Sequence, residues 1–515
     1  MPPADVPEEV LATPFTDHLL RNAAEDRPAF TCRTFPGPVD HTLSWPQVLD
    51  RVRGVARELR RFTRPGDRVA IVARQDLGYV VAFLGTLYAG LVAMPLSVPT
   101  GRTHRARLES AFADAVPTVC LTSKNLLEST ASLASCPDVV LAIEDIEPDD
   151  AEPPAEVAMT DPAYLQYTSG STRRPAGAVI SHRALVAACW QTTECYHADA
   201  STHLAGWVPF FHDMGLVLLV GTPVFLGAHS VFFTPMEFVR DPLRWIRLLA
   251  EHPGAITAAP NFAFDLAAEA AGELADADLS HVNSMLNGSE PIRAATLGTF
   301  ARAFAPFGLP YTALKPCYGL AEATVFVASA GDEGPTVTTF DGRELVSVGR
   351  PYGQRVRIVD KEIWVSGPNV ADGYWGQKGT FAEDGWLRTG DLGFVHDGLL
   401  YVTGRLKDLI IVDGRNHHPQ DIEATVEAAH PHVRAGRVAA FAVRDSLGEG
   451  VAVVVGCTGH DGVETAVRRA VSAGHDLPLR ALWLVPPGAV PRTSSGKVSR
   501  AAARDRWWGE NGRHD

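Results

Sequence analysis

The 515-residue chain lacks the short motifs that mark several common enzyme classes. It has no Cys-x-x-Cys pair, no His-Glu-x-x-His zinc motif and no Gly-x-Ser-x-Gly nucleophile elbow. Zinc-protease and serine-hydrolase chemistry are therefore unsupported. The neighbouring histidines His417 and His418 also have poor geometry for holding a zinc ion together.

Cysteine is scarce, and basic residues are fewer than acidic residues. The seven cysteines are an odd number, which favours a reduced, cytoplasmic setting over a disulfide framework. The first nine residues are acidic and proline-rich and lack the pattern of a signal peptide, so a cytoplasmic location is expected. The formal net charge of -14 argues against nucleic acid as the main ligand.

Long uninterrupted hydrophobic runs are also missing. The longest apolar run, residues 77–98, is interrupted by three glycines and Pro95. It predicts a buried helix followed by a buried strand, not a membrane span. A chain of this length is too long for one hydrophobic core, so two or more domains are expected.

The part of the chain before the central Ser/Thr/Gly loop alternates short apolar strands with helices. This pattern predicts an α/β fold with mostly parallel sheets covered on both faces. After Gly404 the composition changes to a compact α+β segment, so we predict a large domain over residues 1–405 and a smaller one over 406–515. The predicted strands are residues 68–73, 92–96, 118–122, 139–143, 406–412, 439–443 and 451–456, and the predicted helices are 76–89, 419–429 and 463–473.

A Ser/Thr/Gly-rich loop, residues 167–177 (YTSGSTRRPAG), lies between two strand-like segments. Glycines let the backbone approach an anion, and hydroxyl and amide donors can then surround it, as a polyphosphate grip requires. The Walker A spacing is absent, because the second glycine would fall on Pro175. Taken alone, an ordinary turn is the alternative interpretation. The proposed phosphate contacts are Thr168, Ser169, Gly170, Ser171 and Thr172.

Six further motifs follow this loop in a fixed order. They are residues 207–215 (WVPFFHDMG), 287–291 (NGSEP), 318–324 (YGLAEAT), 386–393 (WLRTGDLG), 404–411 (GRLKDLII) and 491–497 (PRTSSGK). The set resembles the adenylate-forming superfamily of acyl-CoA synthetases, peptide-synthetase adenylation domains and luciferase. Residues 166–167, 173–177, 211–215 and 414–421 make it most similar to the fatty acyl-AMP ligases. The resemblance runs from about residue 13 to about residue 504.

The resemblance implies ATP and Mg²⁺ as cofactors and assigns roles to five residues. Glu322 is implied to hold Mg²⁺ and to serve in catalysis, since Mg²⁺ takes one or two protein carboxylates. Tyr318 would stack on adenine, Thr324 would contact the α-phosphate and Arg405 would support the ribose or a phosphate. Asp391 would accept both ribose hydroxyls; a turn-capping aspartate is the alternative.

The remaining implied roles concern motion and the acid substrate. Lys497 would bridge the carboxylate and the α-phosphate as a catalytic residue. Lys407 would be the hinge about which a small, mobile C-terminal domain swings, and His212 would be a catalytic gate beside the acyl pocket. Four apolar residues fit an apolar acid in the pocket. They are Trp207, Phe211, Phe233 and Met236.

The expected reaction joins a carboxylic acid, most plausibly a fatty acid, to ATP, giving acyl-AMP and pyrophosphate. The phosphopantetheine thiol of an acyl carrier protein is then expected to accept the acyl group. A coenzyme A ligase and a non-catalytic adenylate-binding domain are the alternatives. Some arginines of the C-terminal domain are expected to form a basic docking patch for an acidic carrier, and dispersed solvated charges are the alternative. The candidates are Arg468, Arg469, Arg480, Arg492, Arg500 and Arg504.

Two features depart from the family pattern. Residues 355–360 run straight into 361–365, and a two-residue turn at Asp360 and Lys361 lacks the preferred glycine or asparagine. The segment 325–347 is short where fatty acyl-AMP ligases usually carry an inserted motif thought to restrict domain movement. Its shortness weakens the expected basis for rejecting coenzyme A.

Overall fold

The computed structural model describes residues 5–99, 101–167, 176–340, 342–377, 382–412, 415–445, 448–493 and 496–511. The predicted phosphate contacts Thr168, Ser169, Gly170, Ser171 and Thr172 lie outside these ranges. The strands that bracket this loop are antiparallel neighbours, with Tyr167 opposite Gly177.

The helices are α1 (Glu8–Ala12), α2 (Phe15–Asn22), α3 (Trp45–Arg60), α4 (Leu77–Tyr88), α5 (Arg102–Ala115), α6 (Leu127–Ala131), α7 (His182–Cys195), α8 (Asp213–Leu216), α9 (Thr222–Leu226), α10 (Pro235–Arg240), α11 (Leu243–Glu251), α12 (Asn261–Ala270), α13 (Ala294–Phe304), α14 (Pro419–Ala429), α15 (Val463–His475) and α16 (Arg500–Asn511). A π-helical segment, Val217–Gly221, joins α8 to α9.

The strands are β1 (Pro28–Thr34), β2 (Val39–Ser44), β3 (Arg68–Val72), β4 (Val92–Leu96), β5 (Val119–Thr122), β6 (Val139–Ala142), β7 (Pro162–Tyr167), β8 (Gly177–Ser181), β9 (His203–Gly206), β10 (His229–Phe232), β11 (Ile256–Pro260), β12 (Ser284–Gly288), β13 (Leu314–Tyr318), β14 (Ala328–Ser329), β15 (Val337–Phe340), β16 (Arg343–Val346), β17 (Arg350–Pro351), β18 (Arg355–Val359), β19 (Glu362–Ser366), β20 (Ala382–Glu383), β21 (Trp386–His396), β22 (Leu399–Arg405), β23 (Ile410–Val412), β24 (Arg415–His417), β25 (Val433–Asp445), β26 (Gly448–Cys457) and β27 (Leu479–Val485).

Two mostly parallel sheets form the large N-terminal part, in the orders β6-β5-β3-β4-β7-β8 and β17-β14-β13-β12-β11-β9-β10-β1-β2. Side chains of a strand alternate between its two faces, and β3 shows this directly. Val69 and Ile71 join the core beneath α3 and α4, whereas Ala70 and Val72 join the core beneath α5. Both faces are covered, and the predicted α/β class is confirmed.

An antiparallel five-stranded sheet, β18 to β22, completes this part of the chain. Its first hairpin turns at Asp360 and Lys361 as the sequence indicated, and both residues have positive φ angles, 49° and 69°. Two left-handed residues match the type I′ turn that suits the twist of a hairpin. The hairpin therefore forms although neither residue is glycine or asparagine.

The C-terminal part is built on the sheet β25-β26-β27. Val451, Val453 and Val455 of β26 pack in the core under α14 and α15, and the alternating Ala452 and Val454 pack under α16. The prediction of one continuous strand over residues 406–412 is wrong. Leu406–Asp408 is a 3-10 turn whose first two residues are exposed, and only Ile410–Val412 is strand.

No helix in the described part of the chain is long and apolar enough to cross a membrane. The apolar run from Leu77 instead forms α4 and β4, as predicted. Asp76 caps α4 by accepting a hydrogen bond from the Tyr79 N–H at 3.2 Å, and Val92–Leu96 is buried at every position. Gly90, with a φ of 72°, lies between them, where the helix ends.

Candidate active site

Four neighbouring parallel strands, β9, β11, β12 and β13, bring their carboxyl ends to one edge of the nine-stranded sheet. Ligands of α/β sheets bind outside the carboxyl ends of the strands, because the polar residues that follow each strand meet there. The residues after these four strands include His212, Phe262, Glu290 and Glu322. The topology therefore gathers three of the quoted motifs at one place.

Tyr318, Asp391 and Arg405 form a hydrogen-bonded group. The Tyr318 hydroxyl donates to Asp391 Oδ2 at 2.7 Å, and Arg405 Nε donates to Asp391 Oδ1 at 2.7 Å. Asp391 and Arg405 are direct partners across strands β21 and β22. The Asp391 carboxylate holds the pKa of Arg405 above its ordinary value, and burial raises the pKa of Tyr318. The structure thus brings together three of the predicted nucleotide-binding residues.

Glu322 lies in a 3-10 turn directly after β13. Its Oε1 accepts a hydrogen bond from the Tyr374 hydroxyl at 2.5 Å, and Tyr374 bridges to Ala178 of β8. The carboxylate therefore lies close to the strand that leaves the predicted phosphate loop. Among the described residues no group of three or more His, Cys, Asp or Glu side chains could hold a metal ion. A single carboxylate fits Mg²⁺, which keeps several waters and shares phosphate oxygens.

The turn after Glu322 has a strained backbone. Thr324 and Val325 have φ angles of 46° and 71°, which β-branched residues rarely adopt. Asn369, which is fully buried, clamps the turn by donating to the carbonyls of Ala323 and Phe326 at 2.7 and 2.8 Å. The Thr324 hydroxyl donates to the Asn369 carbonyl at 2.7 Å and is fully buried. In this arrangement Thr324 secures the turn, so its predicted α-phosphate contact requires a different rotamer.

His212 and Asp213 form a close pair at the start of α8, with His212 Nδ1 2.6 Å from Asp213 Oδ1. The Met214 N–H donates to Asp213 Oδ1 at 2.8 Å. Burial on its own raises the pKa of Asp213. The charges of His212 and Lys497 and the Met214 amide outweigh burial, so the pKa is lowered overall. Asp213 is thus an anion at the mouth of the site.

Lys497 reaches this edge from the C-terminal part of the chain. Burial lowers the pKa of its ammonium below 10.5, while the negative charges of Asp213 and Glu290 act in the opposite direction. Its N–H donates to Thr493 Oγ1 at 3.1 Å, and the Thr493 N–H donates to the Lys497 carbonyl at 2.7 Å. The two bonds tie both ends of the loop and hold Lys497 close to the carboxylates.

A narrow cavity of about 50 Å³ lies beside Tyr318. Its lining comes from α7, the start of α8, the π-helical segment, and the residues that follow β12 and β13. Helices with π geometry are frequent at functional sites. The apolar lining residues are Met214, Val217, Leu218, Leu286, Val325 and Phe326.

The four residues predicted for the acid pocket do not line this cavity. Met236 does not fit the prediction of a pocket residue in this arrangement, because it is 58% exposed in the first turn of α10. Trp207 is buried and stacks on Phe238 with ring centroids 3.9 Å apart. Phe233 is also buried, and Phe211 accepts a hydrogen bond through its carbonyl from Gln166 at 3.0 Å.

Comparison with known proteins agrees with this geometry. Residues 19–375 match the family described as AMP-binding enzyme. This chain belongs to the AMP-binding enzyme family. Residues 407–514 match the AMP domain described as Disco-interacting protein 2-like.

Relatives of this AMP-binding enzyme include two mycobacterial enzymes. The long-chain-fatty-acid–AMP ligase FadD26 of Mycobacterium marinum is 40% identical, over 96% of this chain and 98% of that protein. The 4-hydroxyphenylalkanoate adenylyltransferase of Mycobacterium tuberculosis is 38% identical, over 95% of this chain and 91% of that protein. A structure from a study of fatty acyl-adenylate ligases from E. coli and L. pneumophila superimposes with a TM-score of 0.87 at 30% identity, covering 98% of this chain and 99% of that one.

Sequence reasoning on this AMP-binding enzyme did not identify several residues of the site. Tyr374 and Asn369 lie outside the quoted motifs, and only the fold brings them to Glu322 and Thr324. Glu290 and Asp213 stand inside quoted motifs, but the sequence does not show which way their side chains point. Their carboxyl type beside a predicted catalytic lysine is the one signal that could have singled them out.

The candidate docking arginines differ in their surroundings. Arg500 is paired with Glu423 at 2.6 Å and Asp408 at 3.3 Å, and Arg492 donates to the Gly436 carbonyl at 3.0 Å. These two guanidinium groups hold the C-terminal part together and do not form a free surface in this arrangement. Arg469 and Arg504 are exposed.

Proposed function

We propose that this AMP-binding enzyme activates a fatty acid as acyl-AMP and then transfers the acyl group to the phosphopantetheine thiol of an acyl carrier protein. One observation carries the first half of this proposal. Lys497 of the C-terminal part lies among carboxylates of the N-terminal part, beside the Tyr318–Asp391–Arg405 group. An adenylating enzyme needs a mobile cation at the point where two anions meet.

In the first step a carboxylate oxygen of the acid attacks the α-phosphorus of ATP, and pyrophosphate leaves. Asp391 would accept the ribose hydroxyls, with Arg405 holding its carboxylate in position. Lys497 would neutralise the charge that builds up between the acid and the α-phosphate, which is the main electrostatic demand of the step. His212, held by Asp213, would close the passage between the acyl cavity and the phosphates.

Glu322 is the residue that would hold Mg²⁺, with Tyr374 orienting its carboxylate. When bound, Mg²⁺ would neutralise charge on the phosphates of ATP. The hydroxyl-rich loop over residues 168–172 is proposed to hold the β- and γ-phosphates.

An apolar acid fits the lining of the cavity. Met214, Val217, Leu218 and Phe326 offer no charge to a second polar group at the far end of the substrate. The cavity holds only a few atoms in this arrangement, so a long chain requires these side chains to move aside. The π-helical segment is the part of the wall best suited to such movement, since its hydrogen bonding is already irregular.

In the second step the carrier thiol attacks the acyl carbonyl, and AMP leaves. Lys497 would not be needed in this second step. Rotation about Lys407 would move Lys497 out of the site and bring another face of the C-terminal domain to it. Two ion pairs join the domains before rotation. Arg293 pairs with Glu427 at 2.8 Å, and Arg343 pairs with Asp421 at 2.7 Å. The Arg343 pair supports a restricting role for the short segment 325–347, because β16 contacts α14 through it.

Pyrophosphate release with a panel of carboxylic acids tests the first half of the proposal. Saturated acids of increasing length, hydroxyphenyl acids and amino acids would be compared at equal concentration. The highest kcat/KM is expected for a fatty acid, with acyl-AMP identified by mass. Pyrophosphate release with amino acids alone would contradict the fatty-acid assignment. If none of the acids caused pyrophosphate release, a non-catalytic adenylate-binding domain would be favoured.

A further inference from the structure

In the described part of the loop that carries Lys497, two residues lie beside one aromatic ring of the N-terminal part, that of Phe262. A Cβ atom placed on Gly496 would lie 3.4 Å from Phe262 Cε1 and 3.5 Å from Phe262 Cζ, so the glycine backbone rests against the ring edge. On the other side of the loop the Arg492 guanidinium lies 5.6 Å from the centroid of the same ring. The described residues at both ends of the loop therefore meet one side chain.

Phe262 is itself held in place. Its N–H donates to Glu290 Oε1 at 2.8 Å, and its ring meets Trp207 edge to face with centroids 6.5 Å apart. The preceding residue, Asn261, is buried and donates to Thr296 Oγ1 at 3.1 Å. Phe262 thus stands at the junction of β11 and α12 on a backbone that cannot shift freely.

Glu290 connects this ring to the lysine. The same carboxylate that accepts the Phe262 N–H carries one of the negative charges that act on Lys497. Arg492 and Gly496 precede the lysine in sequence and lie beside the ring. Two hydrogen-bonded residues of the N-terminal part, Phe262 and Glu290, therefore determine where the loop lands and what charge its lysine meets.

We infer that Phe262, anchored by Glu290, is the landing platform that positions the Lys497 loop for acyl-AMP formation. Phe262 is a positioning residue: it acts through the loop and does not touch the reacting atoms. The inference rests on the proposed role of Lys497. Because Lys497 serves only the first step, removal of the platform slows adenylation and leaves thiol transfer unchanged.

The test compares the two half-reactions in Phe262→Ala. ATP–pyrophosphate exchange should lose roughly 10²-fold in kcat, the cost of an ångström-scale misplacement, with KM for ATP and acid little changed. Transfer from supplied acyl-AMP to a thiol should keep its wild-type rate. Phe262→Tyr, which keeps the ring, should restore exchange. Equal loss of both half-reactions, or loss of neither, would overturn the platform.

Phe307→Ala is the matched control. Phe307 is also half-buried and packs against the same hydrophobic core, but it lies at the end of α13 away from the site. It should leave both half-reactions unchanged. If ATP–pyrophosphate exchange fell as far in Phe307→Ala as in Phe262→Ala, the loss would be explained by reduced stability of the fold, not by loss of the platform.

A double-mutant cycle gives a second readout if Phe262→Ala folds poorly. Arg492→Ala removes the guanidinium that lies 5.6 Å from the ring centroid, so exchange should fall. In the Phe262→Ala background the ring is already absent, and the same change should cost less. Additive costs would show that the loop and the ring do not interact.

Lys497→Ala distinguishes a failure of the platform from a failure of the proposed function. If Lys497→Ala abolishes exchange and Phe262→Ala does not, the platform is wrong and the proposed function stands. If Lys497→Ala leaves exchange intact, the role of Lys497 is wrong, and the platform fails with it.

Discussion

At the residue scale, Lys497 is the residue through which the C-terminal part places a positive charge beside carboxylates of the N-terminal part. The residue is half-buried, and its ammonium lies near Asp213, Glu290 and Asp391. A compact cation on a long stem suits a residue that must enter and leave the site. Burial lowers the pKa of the ammonium, and the carboxylates act in the opposite direction.

Lys497→Ala should reduce acyl-AMP formation by about 10²–10³-fold, because one preorganised charge at a developing oxyanion is lost. ATP affinity and the midpoint of thermal unfolding should change little, since the proposed nucleotide contacts lie on the N-terminal part. ATP–pyrophosphate exchange measures the first quantity, and ATP titration measures the second. Exchange near the wild-type rate would remove Lys497 from the mechanism.

Glu290→Gln should move the alkaline limb of the pH profile for adenylation to lower pH. Glu290 favours the charged form of Lys497, so its neutralisation lowers the pKa of that lysine further. The rate needs the ammonium and falls as pH rises through this pKa. The glutamine oxygen can still accept the Phe262 N–H, so the platform is preserved.

The matched control for this change is Asp265→Asn. Its carboxylate is also close to the site but is paired with Arg293 at 2.5 Å. The profile of kcat against pH should stay in place in this variant. An alkaline limb that does not move in Glu290→Gln would show that Glu290 does not act on Lys497.

At the element scale, the predicted boundary between the domains falls at a 3-10 turn, Leu406–Asp408, between strands β22 and β23. Lys407 is exposed in the middle of this turn. A 3-10 residue has a φ that proline can adopt, so proline can enter here without refolding the site. The residue before proline is pushed toward an extended conformation, and this effect falls on Leu406.

Lys407→Pro should preserve acyl-AMP formation and suppress thioester formation by about tenfold or more, because it fixes φ where rotation is needed. Lys407→Ala is the control, since it removes the side chain and leaves the torsion free. Single-turnover measurement of each half-reaction separates the two. A hinge elsewhere is indicated if both half-reactions are lost equally or if neither changes.

Local elements could be predicted from the sequence, because apolar runs and caps fix them. The helix expected over residues 76–89 is α4, Leu77–Tyr88, and the helix expected over 419–429 is α14, Pro419–Ala429. The 3-10 turn Leu406–Asp408 was missed because Leu406 and Ile411 are apolar yet exposed, 50% and 46%, so an apolar run there does not signal a buried strand.

The site was predictable only where a motif carried it. Asp391 and Arg405 stand in two motifs that lie on paired strands, and the structure joins them at 2.7 Å. The contact of Phe262 with Gly496 spans more than 200 residues, and no pattern in either segment shows it. Such contacts depend on how the domains dock, which local periodicity does not encode.

At the scale of the whole molecule, ion pairs between described residues join the two parts of the chain. Arg293 joins Asp265 of α12 to Glu427 of α14, and Arg343 joins Asp421. Partly exposed pairs of this kind contribute about 0–1 kcal/mol each. Docking that weak can be undone in each catalytic cycle, which a two-step enzyme requires.

The stability of the whole chain should fall as pH falls from 6.5 toward 4. Burial lowers the pKa of His18 and of His182 from 6.5 to about 4, and both side chains are nearly inaccessible. The unfolded chain binds protons at these histidines first, so the contribution of their neutral forms is present above pH 6.5 and is lost on acidification.

Each of these histidines accounts for up to about 3 kcal/mol between pH 6.5 and 4, at 1.36 kcal/mol per pKa unit. Urea unfolding at several pH values measures the slope of unfolding free energy against pH. His182→Gln should flatten this slope, whereas His281→Gln, at an exposed histidine, should not. An unchanged slope in His182→Gln would contradict the assignment.

The acceptor assay tests the account most directly. Purified fatty acyl-AMP is supplied to the enzyme with either a phosphopantetheinylated carrier protein or free coenzyme A, and thioester formation is followed by mass. The account predicts faster acylation of the carrier, with an association rate that falls as salt is added. Faster acylation of coenzyme A than of every carrier tested would contradict it and identify a coenzyme A ligase.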